Sequence, residues 1–203
     1  MTISYPLSLP TTPSFTSFTL SHTSVVAKVR SPYTLTAQLQ EHQGQMWIAD
    51  VTLPPMARAT AEAWRAWLLA LNGPYGTFLL GDPLATLPRG IATGTPLVNG
   101  GSQTGKTLVT DGWGASVTGI LKAGDYIQLS NRLYLVTQDA NTDGSGNATL
   151  DIFPRLRESP ADNSAIVTVS CKGLFRLSSN TNIVSVSDLE QLYSFSFSAE
   201  EAI

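Results

Sequence analysis

The residues that come nearest to known chemistry lie between positions 100 and 107. Gly100-Gly-Ser-Gln-Thr-Gly105-Lys106-Thr107 satisfies the phosphate-loop pattern G-x-x-x-x-G-K-[ST] in full. In such a loop backbone N–H groups cradle the phosphates, the lysine reaches the β and γ groups, and the hydroxyl holds magnesium. That chemistry needs a buried strand before the loop and a helix opening after it, because the helix N-terminus supplies much of the anion affinity. Here Thr93–Asn99 is short and broken by Pro96, while Leu108-Val-Thr-Asp-Gly-Trp-Gly114 holds two glycines and β-formers in place of helix formers. A Gly-rich hairpin loop is expected, with no nucleotide bound.

Asp139-x-Asn141-x-Asp143-Gly144 follows the opening of a calcium loop. The glutamate that closes such a loop is missing: Leu150 stands in its place, with Asp151 one beyond, and no helix pattern flanks the segment. Asn141–Asn147 therefore reads as a turn. Asp82, Asp111, Asp125 and Asp162 sit beside Gly, Pro or Asn, where a short carboxylate bonds its own backbone. The single cysteine, Cys171, lies in the apolar stretch Ile166–Phe175 and reads as a small buried side chain; one thiol excludes a disulfide framework and a cysteine-based zinc site. His22 and His42 have no ligand at metal spacing. There is no G-x-S-x-G, no H-E-x-x-H and no Cys/His pair. No catalytic, cofactor-binding or metal-ligating residue is assigned, and the chain is not expected to be an enzyme.

The elements that would position such residues are mostly strands. Residues 1–20, rich in Pro, Ser, Thr and Phe, read as an extended arm. Ser24–Arg30, Tyr33–Leu39 and Gln45–Leu53 alternate with a period near 2, with a hairpin turn expected at Glu41–Gly44. One helix is predicted over Met56–Leu71: Ala57, Ala61, Trp64, Trp67, Leu68 and Leu71 recur at spacings of 3 and 4, and Asn72-Gly73-Pro74 ends it. Trp64 and Trp67 are expected to pack on a sheet. A short strand, Thr77–Leu80, follows, and Pro83–Gly101 reads as a boundary. Strands are then expected at Thr107–Val109, Ser116–Thr118, Tyr126–Leu129, Arg132–Thr137, Thr149–Phe153 and Ile166–Val169. The alternating stretch Leu189–Ala199 is expected to return to the first sheet. The expected fold is mainly β: a β-sandwich over 1–91 and 171–203 with one packed helix, and a small β-barrel or β-sandwich domain inserted at 92–170.

Only 13% of the 203 residues are charged, against the usual quarter, and the net charge is −3. Cations are scattered singly, so specific nucleic-acid binding is not expected. A weakly charged polar surface suits a protein covered by neighbours, and equally an ordinary β-sandwich. The N-terminus carries no signal-peptide pattern and no window is long and apolar enough to span a bilayer, so neither secretion nor membrane anchoring is expected and folding should occur in the cytoplasm.

Three segments carry a resemblance. The first joins Thr52-Leu-Pro-Pro-Met, the helix Ala63-Trp-Arg-Ala-Trp-Leu-Leu-Ala-Leu-Asn-Gly and Tyr75-Gly-Thr-Phe-Leu-Leu-Gly-Asp-Pro83. The second is Leu121-Lys-Ala-Gly-Asp-Tyr-Ile-Gln-Leu129 followed by Arg132-Leu-Tyr-Leu-Val136. The third runs from Asp143-Gly-Ser-Gly-Asn through Ile152-Phe-Pro-Arg-Leu-Arg157 to Lys172-Gly-Leu-Phe-Arg-Leu177. In this order, over roughly residues 45–200, they resemble the distal tail proteins of long-tailed (siphovirus-like) phages and prophages. The resemblance implies a β-sandwich with one helix. Six copies would form a ring joining the tail tube and the tape-measure end to the hub and fibre-bearing proteins. It implies a virion protein of the tail tip, folded and assembled in a bacterial host, with no catalytic residues to transfer. Family members vary most in the inserted region, so a docking role for 92–170 is not carried over. Two alternatives remain at this point. One is another tail tube or baseplate component. The other is a carbohydrate-binding β-sandwich module, with Trp113, Tyr126 and Tyr134 as its exposed aromatic platform.

Overall fold

The computed structural model describes residues 3–203; the first two residues of the N-terminal arm lie outside the described residues. The strands are β1 (Ser17–Arg30), β2 (Ala37–Thr52), β3 (Thr77–Leu80), β4 (Gly94–Val98), β5 (Thr107–Trp113), β6 (Tyr126–Leu129), β7 (Arg132–Val136), β8 (Ala148–Phe153), β9 (Ile166–Val167), β10 (Gly173–Leu177), β11 (Val184–Ser187) and β12 (Leu192–Glu201). One α-helix, α1 (Arg58–Leu71), lies between β2 and β3 and is followed by a 3₁₀ turn at Gly73–Tyr75. The protein is mainly β, with one packed helix, as the period-2 alternation predicts.

The first sheet has the order β1-β2-β12-β10-β3, and β11 pairs with β12. Alternate residues of its strands face α1. Trp47, Ala49 and Val51 of β2, Leu53 just after it, Phe195, Phe197 and Ala199 of β12, Phe175 and Leu177 of β10, and Phe78 and Leu80 of β3 form one core with Trp64, Trp67, Leu68 and Leu71 of the helix. The two tryptophans stack edge-to-face at 5.7 Å, and Trp67 meets Phe78 at 4.9 Å. The helix starts two residues later than its apolar stripe suggests. Met56 instead exchanges both backbone hydrogen bonds with Tyr193, at 2.9 Å each, and belongs to the sheet. At the other end Asn72 takes φ +53 and donates to Leu69 O, the left-handed stop that Asn-Gly-Pro encodes.

The second sheet has the order β4-β5-β8-β7-β6-β9. A bridge between Leu97 and Ala165, with Val98 donating to Ser164 O and Asn163 to Val98 O, brings its two ends together into a nearly closed barrel. Val98, Leu108, Ile127, Tyr134, Val136, Leu150, Ile152 and Ile166 fill it. The chain leaves the first sheet after β3 and returns at β10, and those two strands pair antiparallel, so barrel entry and exit lie side by side.

Several expectations are corrected. The hairpin turn is at Ser31–Thr36, not Glu41–Gly44: Ser31 N donates to Thr36 O and Leu35 N to Ser31 O, while Ser31 Oγ accepts from Tyr33 N and Thr34 N. Ser31-Pro32 is the turn signal, and the alternation of Tyr33 and Leu35 masks it. Glu41–Gly44 lies inside β2 as a bulge: Ser24 pairs with Gln45 and Val26 with Glu41. Gly44 sits so close to β1 that a Cβ there would lie 2.8 Å from Val25 Cγ2. Ser116–Thr118 is a turn, with Ser116 at φ +55. The boundary region contains β4, whose Pro96 falls at a break in the β4–β5 register, where no ladder donor is needed.

Candidate functional site: an uncovered ribbon and the junction at its base

Beyond the bulge, β1 and β2 leave the body as a two-stranded ribbon. Every residue from Ser21 to Gly44 is exposed except half-buried Ser31. Apart from His22 against Phe153 and Glu41 against Lys106 both faces are bare, yet the ribbon carries Val25, Val26, Val29, Tyr33, Leu35 and Leu39, with Tyr33 94% exposed. A two-stranded hairpin is marginal in water, and a long apolar edge strand is a template for another chain. β1 is the outermost strand of its sheet, and β12 pairs with β2 only from Ile48 to Thr52, so both ribbon edges are also unpaired.

The ribbon is rooted in a buried polar junction. Arg157, on the loop after β8, donates through Nε to Glu201 Oε1 at 3.0 Å and through Nη2 to Glu201 Oε2 at 2.5 Å. Both side chains are almost fully buried. The same Nη2 donates to Gln45 O at 2.6 Å, and Gln45 Oε1 accepts from Arg155 N at 2.8 Å. Trp47 N donates to Glu201 Oε2, and Trp47 Nε1 donates to Leu133 O at 3.1 Å. Arg157 N donates to the Tyr134 hydroxyl, whose pKa burial pushes up. The network joins the last strand of the first sheet to the barrel where β2 becomes ribbon. The bidentate fork and the neighbouring donors meet the hydrogen-bonding needs of both buried charges. Sequence reasoning missed it: 44 residues separate Arg157 from Glu201 and 112 separate it from Gln45.

The Gly100–Thr107 loop joins β4 to β5 and its interior is occupied by its own side chain. Gln103 Nε2 donates to the carbonyls of Asn99, Gly100 and Val109, and Gln103 Oε1 accepts from Val109 N at 2.7 Å. Asp162 Oδ1 accepts from Gly100 N at 2.7 Å, placing a carboxylate on the loop where a phosphate would be repelled. Thr107 opens a strand, so no helix N-terminus faces the loop. Lys106 pairs with Glu41 of the ribbon, and this bond holds the Glu41 carboxyl below its usual value.

The calcium-like residues diverge. Asp139 Oδ1 accepts from Ala123 N, Asn141 Oδ1 from Gly119 N, and Asp143 Oδ1 from Ser145 N and Asn147 N. Among the described residues no group of three or more His, Cys, Asp or Glu could hold a metal. Asp125 is buried and accepts from Arg89 N, Gly90 N and Lys122 N at 2.8–2.9 Å, pinning the connection from β3 into the barrel. Cys171 is buried, and desolvation raises its thiol pKa to about 11, so the reactive thiolate is scarce at neutral pH. His22 stacks edge-to-face on Phe153 at 5.1 Å, and His42 lies within the bulge.

The aromatic platform is corrected. Trp113 and Tyr134 are barrel core, with Trp113 Nε1 donating to Thr110 Oγ1 at 2.7 Å, and Tyr126 is half-buried against Trp47. With Trp113 and Tyr134 buried, the three rings form no exposed platform. The N-terminal arm packs on its own chain: Tyr5 Oη donates to Ala70 O at 2.7 Å, Leu7 pairs with Phe78, and Thr12 O accepts from Trp64 Nε1 at 2.9 Å. Among the described residues no helix is long and apolar enough to cross a membrane. No protein-family model matches the sequence, and no curated protein matches it significantly.

Proposed function

We propose that this chain is a structural protein of a phage tail tip, whose copies assemble into a ring, hexameric by the resemblance to distal tail proteins, joining the tail tube and tape-measure end to the hub and fibre-bearing proteins. The observation that carries the reading is the ribbon of residues 21–44: a long apolar-bearing hairpin with its faces largely uncovered and both edges unpaired beyond the bulge. Such an element is stable when a neighbour covers it, and repetition around a closed ring removes the open edge from every copy. The three sequence segments that resemble the distal tail proteins supply the class of assembly; the ribbon supplies the physical reason for assembly of some kind. On this reading the protein is not an enzyme, needs no cofactor, and ends in the virion after folding in the bacterial cytoplasm.

Light scattering after size exclusion, with negative-stain images of the same peak, tests it. A particle of about six chain masses with a central hole is the expected result. A strict monomer at high protein concentration counts against a self-assembling ring.

A further inference from the structure

We propose that the ribbon of one copy lies along an apolar strip on the next copy, made by Leu84, Leu87 and Ile91 of the connection into the barrel together with Val167 and Val169, so that copies join head to tail. The proposal rests on the ring reading and specifies which surfaces meet. The strip residues are all exposed, Leu84 at 92%. Val167 ends β9 and the others belong to the outgoing and returning segments between sheet and barrel, which Ser170 N holds together by donating to Thr86 O at 2.7 Å. Leu84 and Leu87 border a cleft of about 280 Å³. A second cleft of about 270 Å³, walled by Leu9, Phe15 and Leu79, adjoins it, and Asp82 lines both.

The placement of the two surfaces argues for a second copy as the occupant. In the order β1-β2-β12-β10-β3, the ribbon leaves from one edge of the sheet and the strip from the other. Because every pairing along that order is antiparallel, the end of β1, the start of β2, the end of β3 and the start of β10 all lie at the same end of the sheet. Ribbon and strip therefore emerge at the same end of the sheet, from its opposite edges. A rotation about an axis beside the sheet lays one on the other, and repeating it can close a ring. This joint covers both apolar surfaces in every copy, whereas a two-fold ribbon-to-ribbon joint leaves the strip bare. Charge agrees: Lys28 and Arg30 of the ribbon have no ion pair among the described residues, and neither does Asp82 at the receiving clefts.

The test mixes two single-cysteine proteins in a Cys171→Ala background, one Val29→Cys and the other Leu87→Cys, and treats the assembled particle with a short bismaleimide. Both sites are exposed, so neither change touches a core. The expected result is a cross-linked dimer in the mixture at least tenfold above either protein alone, and loss of assembly in Leu87→Asp with the folded monomer retained. Cross-linking of Val29→Cys to itself without the mixed product overturns the head-to-tail joint in favour of ribbon pairing. An assembled particle with neither product, unaffected by Leu87→Asp, overturns the joint and leaves the ring intact. A protein that never assembles overturns both.

Discussion

Asp125 carries much of the link between sheet and barrel. Its carboxylate is buried and accepts three backbone N–H groups, from Arg89, Gly90 and Lys122, and nothing but an acceptor pair can serve all three. Asn at this position must turn an N–H₂ toward at least one donor. Leaving one buried donor unpaired costs about 1–3 kcal/mol, so Asp125→Asn should lower the urea midpoint by a corresponding amount, and an unchanged midpoint would remove the anchoring role. Asp143 is the solvent-exposed counterpart. Bonds from Asn147, first of all its backbone N–H, hold its carboxyl below the ordinary value. A group more acidic folded than unfolded stabilises the protein above its unfolded pKa, and that contribution is lost as the pH falls through the folded value. Asp143→Asn should therefore be less stable than wild type at pH 7, and the two acid melting curves should converge below the carboxylate range. Curves that stay parallel to low pH would exclude this linkage.

At the scale of elements, the ribbon and the body make separate demands on the sequence. No ribbon residue beyond the bulge enters a core, so replacing residues 25–43 by a tight Asn-Gly turn should leave the monomer's melting temperature within a few degrees while abolishing assembly. A truncated chain that fails to fold would place the ribbon in the folding unit. This separation also explains what was legible. β3 and β6 are predicted at their observed ends, because each alternates cleanly with one face in a core. α1 is legible from its 3–4 spacing except at Met56, where pairing with Tyr193 overrides the stripe. The ribbon misleads because alternation normally reports a buried face, and here neither face is buried within the chain. Its turn is set by Ser31-Pro32 and its bulge by Gly44, signals weaker than the apolar run that spans them. Trp113 and Tyr134 invite a binding role by residue type, but position along the strand decides burial, and both point into the barrel. The uncovered ribbon is thus the one candidate site the sequence names in its parts, as strands, without indicating that nothing in the chain covers them.

For the whole molecule, the question is whether two cores behave as one. The first is built on α1 and the second fills the barrel, but Tyr126, Leu135 and Phe153 of the barrel strands pack against the first, and Trp47 reaches across to Leu133 O. The Arg157–Glu201 pair lies at this contact, buried on both sides. Its desolvation makes it weak evidence for stability as such, yet removing one partner strands a buried charge and costs roughly 3–5 kcal/mol. That penalty falls on the interface between the cores rather than inside either one, since Glu201 lies on β12 of the first sheet and Arg157 on the loop after β8 of the barrel. Wild type should therefore unfold in a single calorimetric transition, with van't Hoff and calorimetric enthalpies equal. Glu201→Gln should split or broaden it, the less stable half unfolding first. The double change Arg157→Met with Glu201→Leu, which removes both charges and keeps apolar bulk, should recover much of the single transition. If Glu201→Gln lowers the melting temperature but leaves one sharp transition, the network stabilises the fold without coupling its halves, and the barrel is held to the sheet by its apolar contacts alone.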